Sequence, residues 1–175
     1  TMARATLVQT REGDILRLRV EMPDGSKGGR YDLAAYVPKD LPLILRGNAD
    51  RGDARKRIGS VNASTTSGKI NASSHGQLEL SSTSGMIQAI QLQENWIGTS
   101  RISSDSGRII VVTPLSGNLS LSAQTAGRLS TNFGLSIHPR EGGGSMAAAR
   151  YGSGTSVLDV GSKTGEVVLD QAVLL

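Results

Sequence analysis

From residue 59 onward one short pattern recurs along the chain: a glycine, a variable residue, and then apolar or small residues at alternating positions. The first seven copies begin eight to ten residues apart, except between residues 85 and 107, where a degenerate copy and an insertion with Trp96 intervene, and an eighth copy follows near the end of the sequence. Alternation with a period of two predicts short strands with one buried face, and strands this short must stack to form a core. The copies begin at Gly59, Gly68, Gly76, Gly85, Gly107, Gly117, Gly127 and Gly165.

The stacked copies predict an all-β fold, a single-stranded parallel β-helix (β-solenoid), with neighbouring strands about 4.8 Å apart. The glycine is expected at a corner where φ is positive or stacked backbones come close, and hydroxyl or amide side chains beside it can bond the backbone. A β-sandwich is the competing architecture, but it usually brings longer strands and more aromatic residues than the 3% present. The predicted inward residues are Val61, Ala63, Ile70, Ala72, Leu78, Leu80, Ile87, Ala89, Ile109, Val111, Leu119, Leu121, Leu129, Val167 and Leu169.

The N-terminal third, residues 1–57, is predicted to supply ordinary strands and a cap. The alternating segments 14–22 and 28–37 are expected to form a hairpin, because the residues between them favour a turn. Two prolines place the next strand, 37–45, at a sheet edge, since proline cannot donate to a β-ladder.

The sequence predicts a single domain over residues 1–175. Beyond residue 57, its composition divides it into three parts. Residues 58–139 hold the regular repeat, and residues 140–154 are predicted to form a glycine-rich loop, with a short helical turn over Met146–Arg150 as the alternative. Residues 155–175 resume strand character and are expected to form the last coil and its cap, because open solenoid ends must be covered.

Three steps of the repeat carry a resemblance to a known family: "TSGKI" (66–70), "DSGRI" (105–109) and "KTGEV" (163–167). Together with "VPKDLPLIL" and the closing "GSGTSVLDVGSKTGEVVL", they resemble the bacterial putative-adhesin domain of toast-rack type, a domain of unknown function. The resemblance runs from Tyr31 to Leu169. It implies a right-handed single-stranded parallel β-helix, usually exported, with no catalytic motif.

The sequence departs from that family at identifiable positions. Lys69 and Arg108 stand where the family often has aspartate, and Trp96 lies in an unusual insertion.

Composition and motifs argue against a catalytic or cofactor-binding role. The chain has no cysteine, and His75 and His138 have no partner at metal-ligand or triad spacing. The acidic residues of the repeat are dispersed, so no general acid–base pair is predicted. We therefore expect no enzyme activity, no cofactor and no metal site.

The net charge of +4 is concentrated in the first 57 residues, densest in "RGDARKR" (51–57). No aromatic residue is interleaved for base stacking and no DNA-binding motif is present, so no nucleic-acid partner is expected. The "RGD" tripeptide alone is too short to predict integrin binding. A solvated loop is the interpretation that this run favours.

Two sets of residues are predicted to be an interaction surface. Polar side chains at equivalent positions of successive strands are expected to form an outward ladder, and the basic run and the single tryptophan form the second set. The residues are Asn62, Asn71, Glu79 and Gln88 for the ladder, and Arg51, Arg55, Lys56, Arg57 and Trp96 for the second set.

These features predict a non-enzymatic, adhesin-like scaffold or interaction module of the bacterial cell envelope, periplasmic or surface-exposed. Its expected partner is an envelope glycan or a protein. No signal or anchor is visible in the chain, so membrane proximity would come from a region outside it. Two alternatives stay open: a carbohydrate-active β-helix enzyme, and a solenoid that polymerises through its ends.

Overall fold

A computed structural model of the chain describes residues 6–21, 33–115 and 117–172. Contacts divide the chain into two compact units, Thr1–Val37 and Pro38–Leu175. The described residues form strands and no helix, so none of them lies in a helix that could cross a membrane. The strands are β1 Thr6–Glu12, β2 Ile15–Glu21, β3 Leu43–Arg46, β4 Gly52–Arg57, β5 Val61–Thr65, β6 Ile70–Ser74, β7 Leu78–Ser82, β8 Ile87–Gln91, β9 Gly98–Ser104, β10 Ile109–Thr113, β11 Leu119–Thr125, β12 Leu129–Thr131, β13 His138–Pro139, β14 Ser145–Arg150, β15 Ser156–Ser162 and β16 Val167–Gln171.

The first unit contains an antiparallel hairpin of β1 and β2, in which Glu12 pairs with Ile15. The two-residue turn between them includes Gly13 at a φ of 59°, which glycine adopts without steric cost. The predicted hairpin of 14–22 with 28–37 is not found among the described residues: β2 pairs with β1, which precedes it, and residues 33–37 form no strand. Residues 28–32 lie outside the described part of the chain.

The second unit contains two sheets, and the chain alternates between them from β3 to β12. The six-stranded sheet has the order β12-β16-β10-β8-β6-β4, and all its pairs are parallel. The eight-stranded sheet has the order β13-β14-β11-β15-β9-β7-β5-β3 and is parallel from β3 to β11. The predicted all-β fold is confirmed for the described residues.

Every residue that was predicted to point inward is buried, and the buried side chains of the two sheets form one cluster. Like residues stack on like: Ile70 pairs with Ile87, which pairs in turn with Ile109. Each buried leucine, isoleucine or valine stabilises the fold by roughly 1.5–3 kcal/mol. An aliphatic core of this kind explains how a chain with so few aromatic residues is held together.

The recurring glycine stands where the corners of stacked strands touch. A Cβ atom on Gly68 would clash with the carbonyl oxygen of Asp50, one on Gly85 with that of Gly68, and one on Gly107 with that of Gly85. None of these three glycines has a positive φ. Close approach of neighbouring backbones, rather than a left-handed conformation, therefore requires glycine at these corners.

At four of the corner glycines, a buried hydroxyl group three residues earlier accepts a hydrogen bond from the glycine amide. The N···O distances are 3.0, 2.7, 2.8 and 2.8 Å, for the pairs Gly68–Thr65, Gly85–Ser82, Gly107–Ser104 and Gly165–Ser162. A buried amide without a hydrogen-bond partner lowers the stability of the fold by about 1–3 kcal/mol. The serine or threonine is therefore a structural part of the corner.

The last two strands of the chain lie inside the sheets. β15 pairs with β9 on one side and β11 on the other, and β16 pairs with β10 and β12. The prediction that residues 155–175 form the last coil and cap is therefore wrong for these strands. Residues 173–175, which were expected to help cover the end, lie outside the described part of the chain.

The glycine-rich segment 140–154 contains a strand, so the predicted loop or helical turn over Met146–Arg150 is wrong. β14 pairs antiparallel with β11, and Ala147 is buried opposite Ala123. Consecutive alanines carry no period-two signal, yet the open edge of β11 offers partners for their backbone groups.

The strand predicted over 37–45 is shorter than expected. It is β3, which begins at Leu43 after Pro42, and it lies at the edge of the eight-stranded sheet. The prolines therefore mark an edge strand, as their missing amide donors predict.

Candidate binding groove

The outer face of the eight-stranded sheet carries a lateral row of small polar residues. The residues before and after each serine of this row are buried, so the serines face outward. None of the three serine hydroxyl groups has a hydrogen-bond partner within the described ranges. The row consists of Ser64 on β5, Ser81 on β7, Ser103 on β9, Gly161 on β15 and Gln124 on β11.

This row forms the floor of an open groove with a volume of about 1080 Å³, which we call the serine groove. Five neighbouring strands contribute to the floor, so it extends about 19 Å across them at 4.8 Å per strand. Corner residues, including Thr66, Thr83 and Asp105, also line it. The groove is therefore long and open, and all its lining residues are polar or glycine.

Two unpaired arginines line the groove from opposite edges of the sheet. Arg46 ends β3 and is in register with Ser64, whereas Arg140 follows β13. Both side chains are exposed, and neither has an ion pair or side-chain hydrogen bond to another described residue. Their guanidinium groups are thus free to bind an external anion.

The other charges of the groove largely cancel. Lys163 Nζ lies 2.8 Å from Asp105 Oδ1, and Asp50 is a further lining carboxylate. With the two arginines, three cations and two carboxylates line the groove, a net charge of 3 − 2 = +1.

Gly161 differs from the corner glycines because packing does not require it. It lies within β15, its φ is not positive, and a Cβ atom there would meet only Gln124 Cγ at 4.0 Å. Glycine within a strand weakens the strand and often marks a close approach by a ligand or another backbone. No backbone atom lies within 4 Å of the position that a Cβ atom would take at Gly161, and the absence of a side chain leaves the groove floor open there.

A second lateral row, with larger side chains, flanks the floor. Glu79, Arg101 and Asp159 follow one another in register, so a cation lies between two carboxylates. Asn62 Nδ2 donates to Glu79 Oε2 at 3.0 Å, and Ser122 Oγ donates to Asp159 Oδ1 at 2.7 Å. Both carboxylates are therefore held in place by a neighbouring strand.

The predicted polar ladder is split between the two sheets. Asn62 and Glu79 lie on the eight-stranded sheet, whereas Asn71 and Gln88 lie on β6 and β8 of the six-stranded sheet. One surface cannot include all four, because consecutive copies of the repeat alternate between sheets. Only Asn62 and Glu79 lie on the face that carries the serine groove.

The basic run around β4 is mostly structural. Arg57 is 5% exposed and donates to the carbonyl oxygens of Pro38 and Leu41 at 2.6 and 2.8 Å. Lys56 has a φ of 51° at a register shift in β4, so the strand is bulged there. Arg57 is therefore excluded as an interaction residue, although Lys56 remains exposed.

Arg51 and Arg55 are exposed, but both form ion pairs with Asp53. Arg51 Nε lies 2.9 Å from Asp53 Oδ2, and Arg55 Nη2 lies 3.5 Å from Asp53 Oδ1. Asn71 Nδ2 also donates to Asp53 at 2.6 Å. Burial raises the pKa of Asp53, but the bond from Asn71 and the two arginines outweigh it, so the pKa is lowered from 3.8. The "RGD" arginine and aspartate thus bind each other.

Trp96 is 3% exposed and belongs to the hydrophobic cluster, so its predicted role in an interaction surface is wrong. Its carbonyl oxygen accepts a bond of 2.6 Å from Ser156 Oγ, which ties the insertion to β15. The burial of a large aromatic side chain explains why an insertion in the repeat carries the only tryptophan.

The described residues contain no cluster of three or more histidine, aspartate or glutamate side chains that could hold a metal ion. His75 and His138 are both exposed and lie in a corner and in β13, respectively. The groove's chemistry is that of hydrogen bonding and ion pairing.

Comparisons with known proteins bear on the fold. No family model matches the sequence, and no curated protein matches it. Among solved structures, the chain is similar to one described as a putative cell adhesion protein from Clostridium sporogenes, with a TM-score of 0.52 and 13% sequence identity. The alignment covers 97% of this chain and 77% of that one. At this identity the similarity concerns the fold alone.

Proposed function

We propose that the chain is a non-enzymatic, adhesin-like interaction module of the bacterial envelope, and that its serine groove binds a linear polysaccharide. The observation that carries the proposal is the row of unpaired hydroxyl groups across neighbouring strands, with an unpaired arginine lining the groove from each edge. The adhesion-protein description of the structurally similar chain favours the same role.

The shape and chemistry of the groove favour a chain of sugars over other ligands. Small-molecule sites are usually enclosed and apolar, and peptides that pair with a sheet need a free edge. The floor of the serine groove is polar, open and formed mainly by strands that are paired on both sides. Sugar hydroxyl groups can both donate to and accept from serine hydroxyl groups.

We further propose that the second unit is one parallel β-helix into which β15 and β16 are inserted. The alternation of strands between two sheets and the stacking of corner glycines support this architecture. The groove would then cross successive coils, and the coils of β5, β7 and β9 would each add one hydroxyl group to its floor.

A carbohydrate-active enzyme is the second candidate, and the flanking row favours it. Glu79 and Asp159 lie two strands apart, about 9.6 Å between backbones, near the upper limit of the carboxyl separation in inverting glycosidases. Arg101 lies between them, where an attacking water would need room. We therefore propose that the groove binds polysaccharide without cleaving it.

Polymerisation through the sheet edges is the third alternative, and the edges oppose it. β3 and β12 are short, and the edge strand β4 is bulged and basic at Lys56. Short, bulged and charged edges prevent pairing with another chain.

The test is binding to immobilised neutral and acidic polysaccharides, with release of reducing ends measured in parallel. The variant Ser81→Leu/Ser103→Leu fills the groove, and Gln88→Leu/Ser130→Leu places the same side chains on the other sheet. We expect wild type and the second variant to bind without cleavage and the first to lose binding. No binding by wild type, or equal binding by both variants, would refute the proposal; cleavage lost in Glu79→Gln would establish the enzyme.

A further inference from the structure

We infer that the polysaccharide bound in the serine groove is acidic, a linear chain whose anionic groups are held by Arg46 and Arg140. The inference rests on the proposed function, because it names the ligand class of the same groove.

The two arginines are placed to hold the ligand at separate points. Arg46 lies on β3, the edge strand next to Ser64, and Arg140 follows β13 at the opposite edge of the sheet. The hydroxyl row therefore lies between two guanidinium groups. A ligand that contacts both must be a chain, since the floor alone extends about 19 Å.

Both guanidinium groups are available without rearrangement. Arg108 and Arg51 have carboxylate partners at 2.8 and 2.9 Å, whereas Arg46 and Arg140 have none among the residues described. An arginine binds a carboxylate or sulfate through two parallel hydrogen bonds, which a neutral sugar cannot match. No internal ion pair has to break before the ligand binds.

The hydroxyl row indicates that the anion belongs to a sugar polymer rather than to a nucleic acid. Ser64, Ser81 and Ser103 recur about 4.8 Å apart, close to the length of one sugar residue in an extended chain. A single-stranded nucleic acid would need aromatic side chains for its bases, and none lines the groove. Hydroxyl partners and peripheral cations together match a uronic acid or sulfated chain.

The length of the floor sets the size of the ligand. Five strands contribute to the floor, so about four sugar residues cover it, and about seven span the seven strand spacings from β3 to β13. Affinity is therefore expected to rise with chain length up to about that size and then level off.

Titration calorimetry with oligogalacturonates of about two to eight residues tests the inference, with neutral cello-oligosaccharides and sulfated dextran as further ligands. Arg46→Gln/Arg140→Gln removes the two guanidinium groups. Lys39→Gln/Arg128→Gln is the matched control, because it removes the same charge from exposed sites outside the groove. Circular dichroism checks that each variant folds.

We expect oligogalacturonate to bind at least about tenfold more tightly than the neutral chain, and Arg46→Gln/Arg140→Gln to lose about tenfold or more in affinity. The control variant is expected to stay within about twofold, and sulfated dextran separates a general acidic preference from one for carboxylates. Raising the salt from about 0.1 to 1 M shortens the screening length from about 10 to 3 Å and should weaken binding.

The outcomes separate this inference from the function beneath it. If the neutral chain binds equally well and only Ser81→Leu/Ser103→Leu abolishes binding, the groove binds polysaccharide but the inference is refuted. If single-stranded oligo-dT competes as well as oligogalacturonate, a general polyanion site replaces it. If no polysaccharide binds, both the inference and the proposed function are refuted.

Discussion

Arg108 Nε lies 2.8 Å from Glu166 Oε2, so an ion pair joins the corner before β10 to the corner before β16. The pair between Lys163 and Asp105 joins the same two corners a few residues earlier. Both pairs connect the C-terminal strands to the strands beside which they are inserted. Because the apolar residues of the copies are interchangeable, we infer that these charges help to fix the stacking order.

Reversing the charges of this pair tests that role. Arg108→Glu and Glu166→Arg are each expected to lower the free energy of unfolding by roughly 0.2–1 kcal/mol, because both side chains are partly exposed. The double variant restores opposite charges and should recover most of the loss. Urea denaturation of all four proteins measures the coupling. A double variant as unstable as the sum of the single ones would show that the pair does not act as a unit.

The internal position of β16 leads to a second prediction. Val167 is fully buried between Ile109 and Leu129 in register, whereas the next residue, Val168, is partly exposed on the outer side. Val167→Asp buries a charge and should cost more than about 3 kcal/mol, while Val168→Asp should cost about 1 kcal/mol or less.

Urea denaturation of the two aspartate variants distinguishes the inserted strand from a terminal cap. A strand at a frayed end would tolerate both substitutions nearly equally. Similar stabilities for Val167→Asp and Val168→Asp would therefore contradict the observed pairing of β16 with β10 and β12.

The sequence pattern predicts burial well because alternation in a strand ties sequence position directly to one face. Leu78 and Leu80 are buried and Glu79 is exposed, as the period of two requires. The order of strands in the sheets has no such signal. β15 lies between β9 and β11, yet nothing in the sequences of these two strands distinguishes them from strands that pair with their nearest neighbours in the repeat.

The groove was missed for a related reason. Ser64 and Ser81 stand beside the corner hydroxyls of Thr65 and Ser82, so all four look like corner residues. Once the copies are assigned alternately to the two sheets, Ser64 and Ser81 fall in an outward-facing row of one sheet, and Thr65 and Ser82 fall in a buried row. The available signal was a small or polar residue before the corner hydroxyl in every second copy. Arg140 had no signal, because it reaches the groove through the antiparallel strands at the sheet edge.

The two kinds of glycine give a third prediction. Gly85→Ala would force a methyl group against the backbone of Gly68 and should cost about 1–3 kcal/mol or more, because backbone cannot move aside easily. Gly161→Ala meets ordinary contacts and should be neutral or stabilising by about 0.4–1 kcal/mol. Thermal and urea unfolding of both variants provide the measurement. Equal destabilisation would mean that Gly161, too, is required by packing.

The hydrogen bond from Asn71 to Asp53 predicts how stability depends on pH. The pKa of Asp53 is lowered in the folded protein, so its contribution is fully present above the unfolded value of 3.8 and is lost as the pH falls through the folded pKa. Wild type should therefore be more stable than Asp53→Asn at neutral pH, and the difference should shrink below about pH 4. Free energies of unfolding in urea between about pH 7 and 2.5 measure it. The variant Asp50→Asn, which removes an exposed carboxylate without an ion pair to a described residue, serves as the control for the loss of one negative charge. A difference between wild type and Asp53→Asn that persists at the lowest pH would show that the carboxylate's charge is not its cause.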